Sequence, residues 1–144
     1  MFIYLLVIVA SSMSLTDRTE KVRSGDLIVD VINIKTAKGE LVACLSNESD
    51  SFLTDCYLSE FVAQFENGTS RLVFRDLPMG QYALSLFQDL NKNRLLDKNA
   101  LHLPTEPFGF SNNPNIIFGP PTFRKCKFST SESQTYLTIK LKKF

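Results

Sequence analysis

Cysteine and histidine are scarce in this chain of 144 residues. Three cysteines, Cys44, Cys56 and Cys126, permit at most one intramolecular disulfide bond and leave its pairing open. There is no Cys-x-x-Cys pair, and the single histidine, His102, completes no zinc-ligand pattern. The sequence therefore gives little support to a structural zinc site, to a Ser-His-Asp mechanism or to a Cys-His mechanism.

A strong charge of either sign is also absent. Sixteen Lys and Arg residues balance fifteen Asp and Glu residues, which leaves a formal net charge of +1. A chain without a strong positive field has no general electrostatic attraction for nucleic acid or for an anionic membrane surface. We therefore expect no nucleic acid among its partners.

The apolar run at the start of the sequence is too short to span a bilayer. These ten residues, MFIYLLVIVA, precede small residues at Ser11, Ser12 and Ser14. Such an order is typical of a signal peptide, but no Lys or Arg precedes the run, so a buried N-terminal strand is the alternative. We predict a signal peptide over 1–15, a linker over 16–25 and one folded domain over 26–144. The protein would then be secreted, periplasmic or attached to the outer envelope, and not an integral membrane protein once processed.

Tryptophan is missing and alanine is scarce, whereas the β-branched residues, Phe and Tyr are plentiful, which favours strands over helices. Alternating apolar residues predict buried strand faces. These faces are Leu27, Val29 and Val31; Leu41, Ala43 and Leu45; Leu72 and Phe74; Tyr82, Leu84 and Leu86; and Leu137, Ile139 and Leu141. The fold class is therefore predicted to be all-β.

Turn residues and spacing suggest how the strands connect. The turn at Lys38-Gly39 predicts a hairpin between the first two strands, and DLPMGQ at 76–81 predicts a second hairpin. The segment LSEFVAQF at 58–65 is interpreted as one or two helical turns.

A long connection from Asp89 to Phe123 is rich in Asn, Pro, Gly and Phe. Connections of this length without regular structure are usually functional or disordered. Aromatic residues argue against disorder because they need to be buried. We therefore predict a structured connection that buries Phe108, Phe110, Phe118 and Phe123.

Two segments of this connection, PTEPFGFSNN at 104–113 and FGPPTF at 118–123, resemble the signature of a bacterial family catalogued as domain of unknown function 2141. The resemblance continues through GDLIVDV, KGELVACL, LPMGQY and DLNKNRLLD. It implies a secreted or envelope protein with an immunoglobulin-like or transthyretin-like antiparallel β-sandwich of about seven strands and a long structured loop. It implies no particular activity.

Related sequences usually have glycine where this chain has Lys92, Arg94 and His102. Glycine adopts a positive φ more readily than these residues do. The resemblance therefore leaves the conformation of this loop open.

The segment DLNKNRLLD has the spacing of a calcium-binding loop. Oxygen-bearing side chains recur at alternate positions, as hard cations with six to eight oxygen ligands require. The glycine of an EF-hand-type loop is replaced by Arg94, and its final glutamate by Ala100. An Asx-rich turn without metal is the alternative. The predicted Ca²⁺ ligands are Asp89, Asn91, Asn93, the carbonyl of Leu95, Asp97 and Glu106.

The same connection allows two further interpretations. Glu106, Phe108, Phe110, Asn112 and Asn113 form a ligand cleft or a structural plug. A hydrolase that uses Asp97 and Glu106 as paired carboxylates is the alternative function. We favour an exported binding or structural module, with an envelope or extracellular glycan or protein as its partner.

Overall fold

The computed structural model describes residues 22–144, which form two β-sheets and one short helix. The elements are β1 (Ser24–Ile32), β2 (Glu40–Ser46), β3 (Leu58–Val62), β4 (Ser70–Pro78), β5 (Gln81–Asp89), β6 (Phe108–Phe110), α1 (Phe123–Cys126), β7 (Phe128–Ser129) and β8 (Gln134–Lys140). Strand β1 thus includes Ser24 and Gly25, which the sequence predicts to be part of the linker. The predicted signal peptide and most of the linker lie outside the described residues.

The two sheets pack face to face as a sandwich. One sheet has the strand order β4-β1-β8, and the other has the order β3-β2-β5-β6, with β7 paired to the start of β5. The predicted all-β sandwich is confirmed. Residues 22–144 contain eight strands rather than about seven, and the sandwich is not wholly antiparallel, because β1 and β8 pair in parallel.

The core lies between the sheets and is built from the predicted alternating faces. Leu27, Val29 and Val31 of β1 are fully buried, and so are Leu84 of β5 and Ile139 of β8. Complete burial of one such side chain contributes about 1.5–3 kcal/mol. The alternation therefore identifies the inner faces correctly.

Both predicted hairpins are wrong. Strands β1 and β2 follow each other along the chain but lie in different sheets, and the same is true of β4 and β5. The turns at 38–39 and 76–81 carry the chain from one layer of the sandwich to the other. Alternation indicates which face of a strand is buried, but it does not indicate whether the next strand pairs beside it or packs across the core.

The predicted helical turn at 58–65 is also wrong, because this segment contains β3, an edge strand paired with β2. Leu58 and Val62, four residues apart, suggest helical spacing, yet they also share one face of a strand while Phe61 occupies the other. Within residues 22–144, no helix is long and apolar enough to cross a membrane.

A second, smaller hydrophobic cluster lies on the outer face of the five-stranded sheet. Phe108 and Phe110 are buried there, as predicted, and the half-buried Phe123 packs edge to face against Phe52 with ring centroids 5.8 Å apart. Phe118 is 98% exposed, so its predicted burial is wrong.

Strand β6 passes close to the end of β8. A Cβ atom on Gly109 would lie 2.6 Å from Cγ2 of Ile139, so a larger residue does not fit without a shift in the core. Two backbone hydrogen bonds between Phe108 and Lys142, of 2.9 and 2.8 Å, fasten β6 to the segment after β8. The position of β6 is therefore fixed from both sheets.

Candidate functional site

An apolar cleft lies on the outer face of the five-stranded sheet. Alternate side chains of the strands point outward there: Val42 on β2, Phe61 on β3, Phe87 on β5, and Phe108 and Phe110 on β6. The rings of Phe108 and Phe110 meet edge to face with centroids 5.9 Å apart. Together these side chains form the floor of a cleft of about 680 Å³.

Two loops of the long connection form the walls of the cleft. The loop at 90–107 contributes Leu95, Leu96, Leu103 and Pro104, and the loop at 111–122 contributes Ile116, Gly119 and Pro120. Phe144 lies beside the floor, with its ring centroid 5.4 Å from that of Phe108. The connection that the sequence predicts to be structured therefore encloses the cleft.

Apolar side chains at the rim remain exposed to solvent. Leu95 is 68% exposed, Phe61 is 42% exposed and Leu103 is 39% exposed. Contiguous apolar patches on a soluble protein often mark a binding site. The cleft is therefore the strongest candidate for such a site in this fold.

The disulfide bond Cys44–Cys56 contributes to the cleft lining. It resolves the pairing that the sequence leaves open, and Cys126 is a buried free thiol. Burial raises the pKa of the Cys126 thiol to about 11. Because little thiolate is present at neutral pH, Cys126 is a poor nucleophile.

Asp89, at the end of β5, is fully buried and fixes the start of the asparagine-rich loop. Its Oδ1 accepts the N–H of Asn93 at 3.2 Å, and its Oδ2 accepts the N–H of Arg94 at 2.6 Å. Such charge-assisted hydrogen bonds offset part of the cost of burying a carboxylate. The loop is thereby folded back onto the end of the strand.

Asn91 and Asn93 connect this loop to Asp97. Nδ2 of Asn91 donates to Oδ2 of Asp97 at 2.6 Å, and Nδ2 of Asn93 donates to Oδ1 of Asp97 at 3.0 Å. The side-chain oxygens accept backbone N–H groups two residues further on, from Asn93 at 3.0 Å and from Leu95 at 2.8 Å. These are the Asx turns of the alternative interpretation.

Glu106 contacts the loop from the segment that follows it in the chain. It is buried, and its Oε1 accepts the N–H of Leu90 at 2.8 Å while its Oε2 accepts the N–H of Asp97 at 3.2 Å. One carboxylate thus bridges the two ends of the loop.

Lys92, Arg94 and His102 adopt positive φ angles of 62°, 61° and 58°. At these three positions the family resemblance implies glycine. The left-handed conformation that glycine adopts readily is therefore present here without glycine, at a cost of about 1–2 kcal/mol for each L-residue.

The side chains predicted to bind calcium meet in this one loop, but their present contacts are with each other and with the backbone. Across the described part of the chain, no three His, Cys, Asp or Glu side chains form a group able to hold a metal ion. A cation would need the amide oxygens of Asn91 and Asn93. At present, Nδ2 of Asn91 and of Asn93 faces Asp97. Rotating each side-chain amide by 180° would exchange the positions of its nitrogen and oxygen, so that the amide oxygens would face Asp97 instead.

The two carboxylates of the hydrolase alternative, Asp97 and Glu106, do not line the cleft. Each oxygen of both groups accepts an N–H from the loop. A general acid or base must reach the reacting group of its substrate. The geometry therefore favours a loop-holding role for both residues.

Asn112 and Asn113, proposed as ligand-binding groups, do not line the cleft. Nδ2 of Asn112 donates to the carbonyl of Lys127 at 2.9 Å. Nδ2 of Asn113 donates to the carbonyl of Thr138 at 2.8 Å, and its Oδ1 accepts the N–H of Lys140 at 2.7 Å. For these two residues the geometry favours the structural plug, whereas Phe108 and Phe110 belong to the cleft floor.

Sequence reasoning missed most of the cleft, since its lining extends from Val42 to Phe144 along the chain. Phe87 was the residue that could have indicated it, because it lies on the strand face opposite to the predicted core face of Leu84 and Leu86. A large aromatic residue on the solvent face of a sheet needs a cover or a ligand.

These features define a β-sandwich protein of two packed sheets, in which one sheet carries structured loops and an apolar cleft on its outer face. The chain belongs to a bacterial family, DUF2141, described as an uncharacterized protein conserved in bacteria, whose model matches residues 29–138. No curated protein and no solved structure matches the chain.

Proposed function

We propose that this protein is an exported binding module that holds an apolar ligand, or an apolar group of an envelope glycan or protein, in the cleft. The observation that carries the proposal is the apolar floor beneath a rim of solvent-exposed apolar side chains. Occupation of the cleft would remove the exposed apolar side chains of the rim from water, which contributes favourably in proportion to the area covered.

The binding proposal can be tested with a neutral fluorescent probe, N-phenyl-1-naphthylamine, titrated into the processed protein. Leu103 lines the cleft, whereas Leu101, in the same loop and 77% exposed, does not. Leu103→Gln should raise the Kd by about five- to tenfold, because it removes apolar contact area. Leu101→Gln is the matched control and should leave the Kd unchanged. Absence of saturable probe binding, or equal losses in both variants, would contradict the proposal.

Export is supported by the disulfide Cys44–Cys56, because disulfides persist in oxidising compartments outside the cytosol. We expect the mature chain to begin between Ser11 and Thr16. Intact-mass analysis of protein recovered from the envelope or medium tests this expectation, and retention of the first ten residues would refute cleavage.

The proposed module is stabilised by calcium in the asparagine-rich loop. The convergence of the predicted ligands and the positive φ of Arg94, where an EF-hand-type loop has glycine, support this proposal. At a Kd near 10⁻⁴ M and a tenfold excess of free Ca²⁺, binding would stabilise the fold by about 1.4 kcal/mol.

Thermal unfolding with Ca²⁺, with Mg²⁺ and with chelator tests the calcium proposal. Calcium should raise the Tm more than magnesium does, because Mg²⁺ demands a stricter octahedral geometry. Asp97→Asn should abolish the response, and Asp50→Asn, an exposed acidic residue in another loop, is the control. An unchanged Tm at millimolar Ca²⁺ would leave the loop as a set of Asx turns.

A further inference from the structure

Among residues 22–144, the charged side chains that line the cleft are basic. Arg94 and Lys98 belong to its lining together with the imidazole of His102, whereas no Asp or Glu of these residues does. Arg94 already has partners, since its Nε lies 3.5 Å from Glu40 Oε1 and its guanidinium lies 4.6 Å from the ring centroid of Phe61. Within residues 22–144, Lys98 forms no ion pair. The cleft therefore combines an apolar floor with a basic rim that includes an unpaired ammonium group.

We propose that the cleft binds a single molecule of an anionic amphiphile, namely a long-chain carboxylate. The hydrocarbon chain packs against the exposed side chains of Phe61, Leu95 and Leu103 above the floor, and the carboxylate faces Lys98 and His102. This inference rests on the proposed function and adds the chemical class of the ligand. Its basis is charge complementarity, because a carboxylate compensates the basic rim and forms charge-assisted hydrogen bonds with an ammonium group.

The shape of the cleft favours one free amphiphile over a membrane surface. Its volume of about 680 Å³ falls within the range of about 300–1,000 Å³ that small-molecule sites have. The floor lies between two loop walls, which contain Leu103 on one side and Ile116 on the other. A single chain fits between such walls, whereas a flat bilayer would contact the rim and leave the floor uncovered.

The test compares three ligands with the same chain length in the processed protein, below their micelle concentrations. Hexadecanoate is anionic, hexadecanol is neutral and hexadecylammonium is cationic, and each displaces N-phenyl-1-naphthylamine from the cleft. We expect hexadecanoate to bind about tenfold more tightly than hexadecanol, with the cation weakest, because one charge-assisted hydrogen bond is worth about that factor.

Substitutions at Lys98 then assign the headgroup contact. Lys98→Gln should weaken hexadecanoate binding by about five- to tenfold and leave hexadecanol binding unchanged. Lys98→Arg should retain the preference because it keeps the charge. Lys35→Gln removes an exposed lysine that does not line the cleft, so it serves as the control and should have no effect.

The outcomes separate this inference from the proposed function. Equal affinities for hexadecanoate and hexadecanol, with the probe still bound, would overturn the carboxylate assignment and leave the binding module intact. Failure of the probe and of all three ligands to bind would overturn both. Binding to phosphatidylglycerol vesicles without binding of monomeric hexadecanoate would overturn the single-molecule inference in favour of a lipid surface.

Discussion

Replacing Lys92 with glycine should stabilise this fold, because Lys92 has a φ of 62° in the asparagine-rich loop. An L-residue in this region costs about 1–2 kcal/mol. Glycine removes that strain but increases the entropy of the unfolded chain, which costs about 0.4–1 kcal/mol. The net gain is about 0.5–1 kcal/mol, which corresponds to a rise in Tm of about 2–6 °C for a domain of this size. Lys92 is preferred to Arg94, because Arg94 also contacts Glu40 and Phe61.

Urea and thermal unfolding in the presence of chelator measure this effect without a contribution from metal binding. Lys92→Ala removes the same charge but keeps a Cβ atom, so it should change the unfolding free energy by less than about 0.5 kcal/mol. Lys35→Gly places glycine at an exposed loop position where φ is not positive, and it should destabilise by about 0.5–1 kcal/mol. If Lys92→Gly destabilises the protein as much as Lys35→Gly does, the assignment of backbone strain is refuted.

The remaining predictions concern the core, the loop bridge and the disulfide, and chemical denaturation measures each of them. Ile139→Ala should cost about 2–5 kcal/mol because Ile139 is fully buried, whereas Thr138→Ala, on the exposed face of β8, should cost less than about 0.5 kcal/mol; equal losses would show that the register of β8 is wrong. Glu106→Gln should cost about 1–3 kcal/mol, because an amide NH₂ would face a backbone N–H of the loop and leave it unsatisfied; an unchanged stability would refute the bridge. Replacing Cys44 and Cys56 together with serine should cost about 3 kcal/mol, since the bond closes a loop with a sequence separation of 12; a loss below about 1 kcal/mol would mean that the loop is constrained by other contacts.

The sequence predicts which face of each strand is buried, but it does not predict which strands pair with each other in a sheet. The burial of Val29 and Leu84 depends on a period of two, which local sequence displays directly. The pairing of β1 with β4 and β8 depends on contacts between distant segments, so the turn at Gly39 gave no sign that it crosses between sheets. In both wrong hairpins a turn does occur at the predicted position, but the two strands that flank it lie in different sheets and do not pair.

The asparagine-rich loop was more predictable than the cleft. Asp89, Asn93 and Asp97 interact within nine residues of sequence, so their spacing nearly determines their contacts. The cleft combines side chains as distant in sequence as Val42 and Phe144. The cleft exists only because the loops at 90–107 and 111–122 pack at particular positions over the five-stranded sheet. No short sequence pattern predicts those positions.

The parallel pairing of β1 with β8 also sets the order of events during synthesis. Asn33, just after β1, donates to the carbonyl of Leu141, which lies 108 positions later in the chain. The three-stranded sheet cannot close until β8 has left the ribosome, and a fold dominated by such distant contacts forms slowly. We propose that the protein is exported, and an exported chain must enter a translocation channel before it folds. A topology that delays closure of the three-stranded sheet would keep the nascent chain unfolded during that interval.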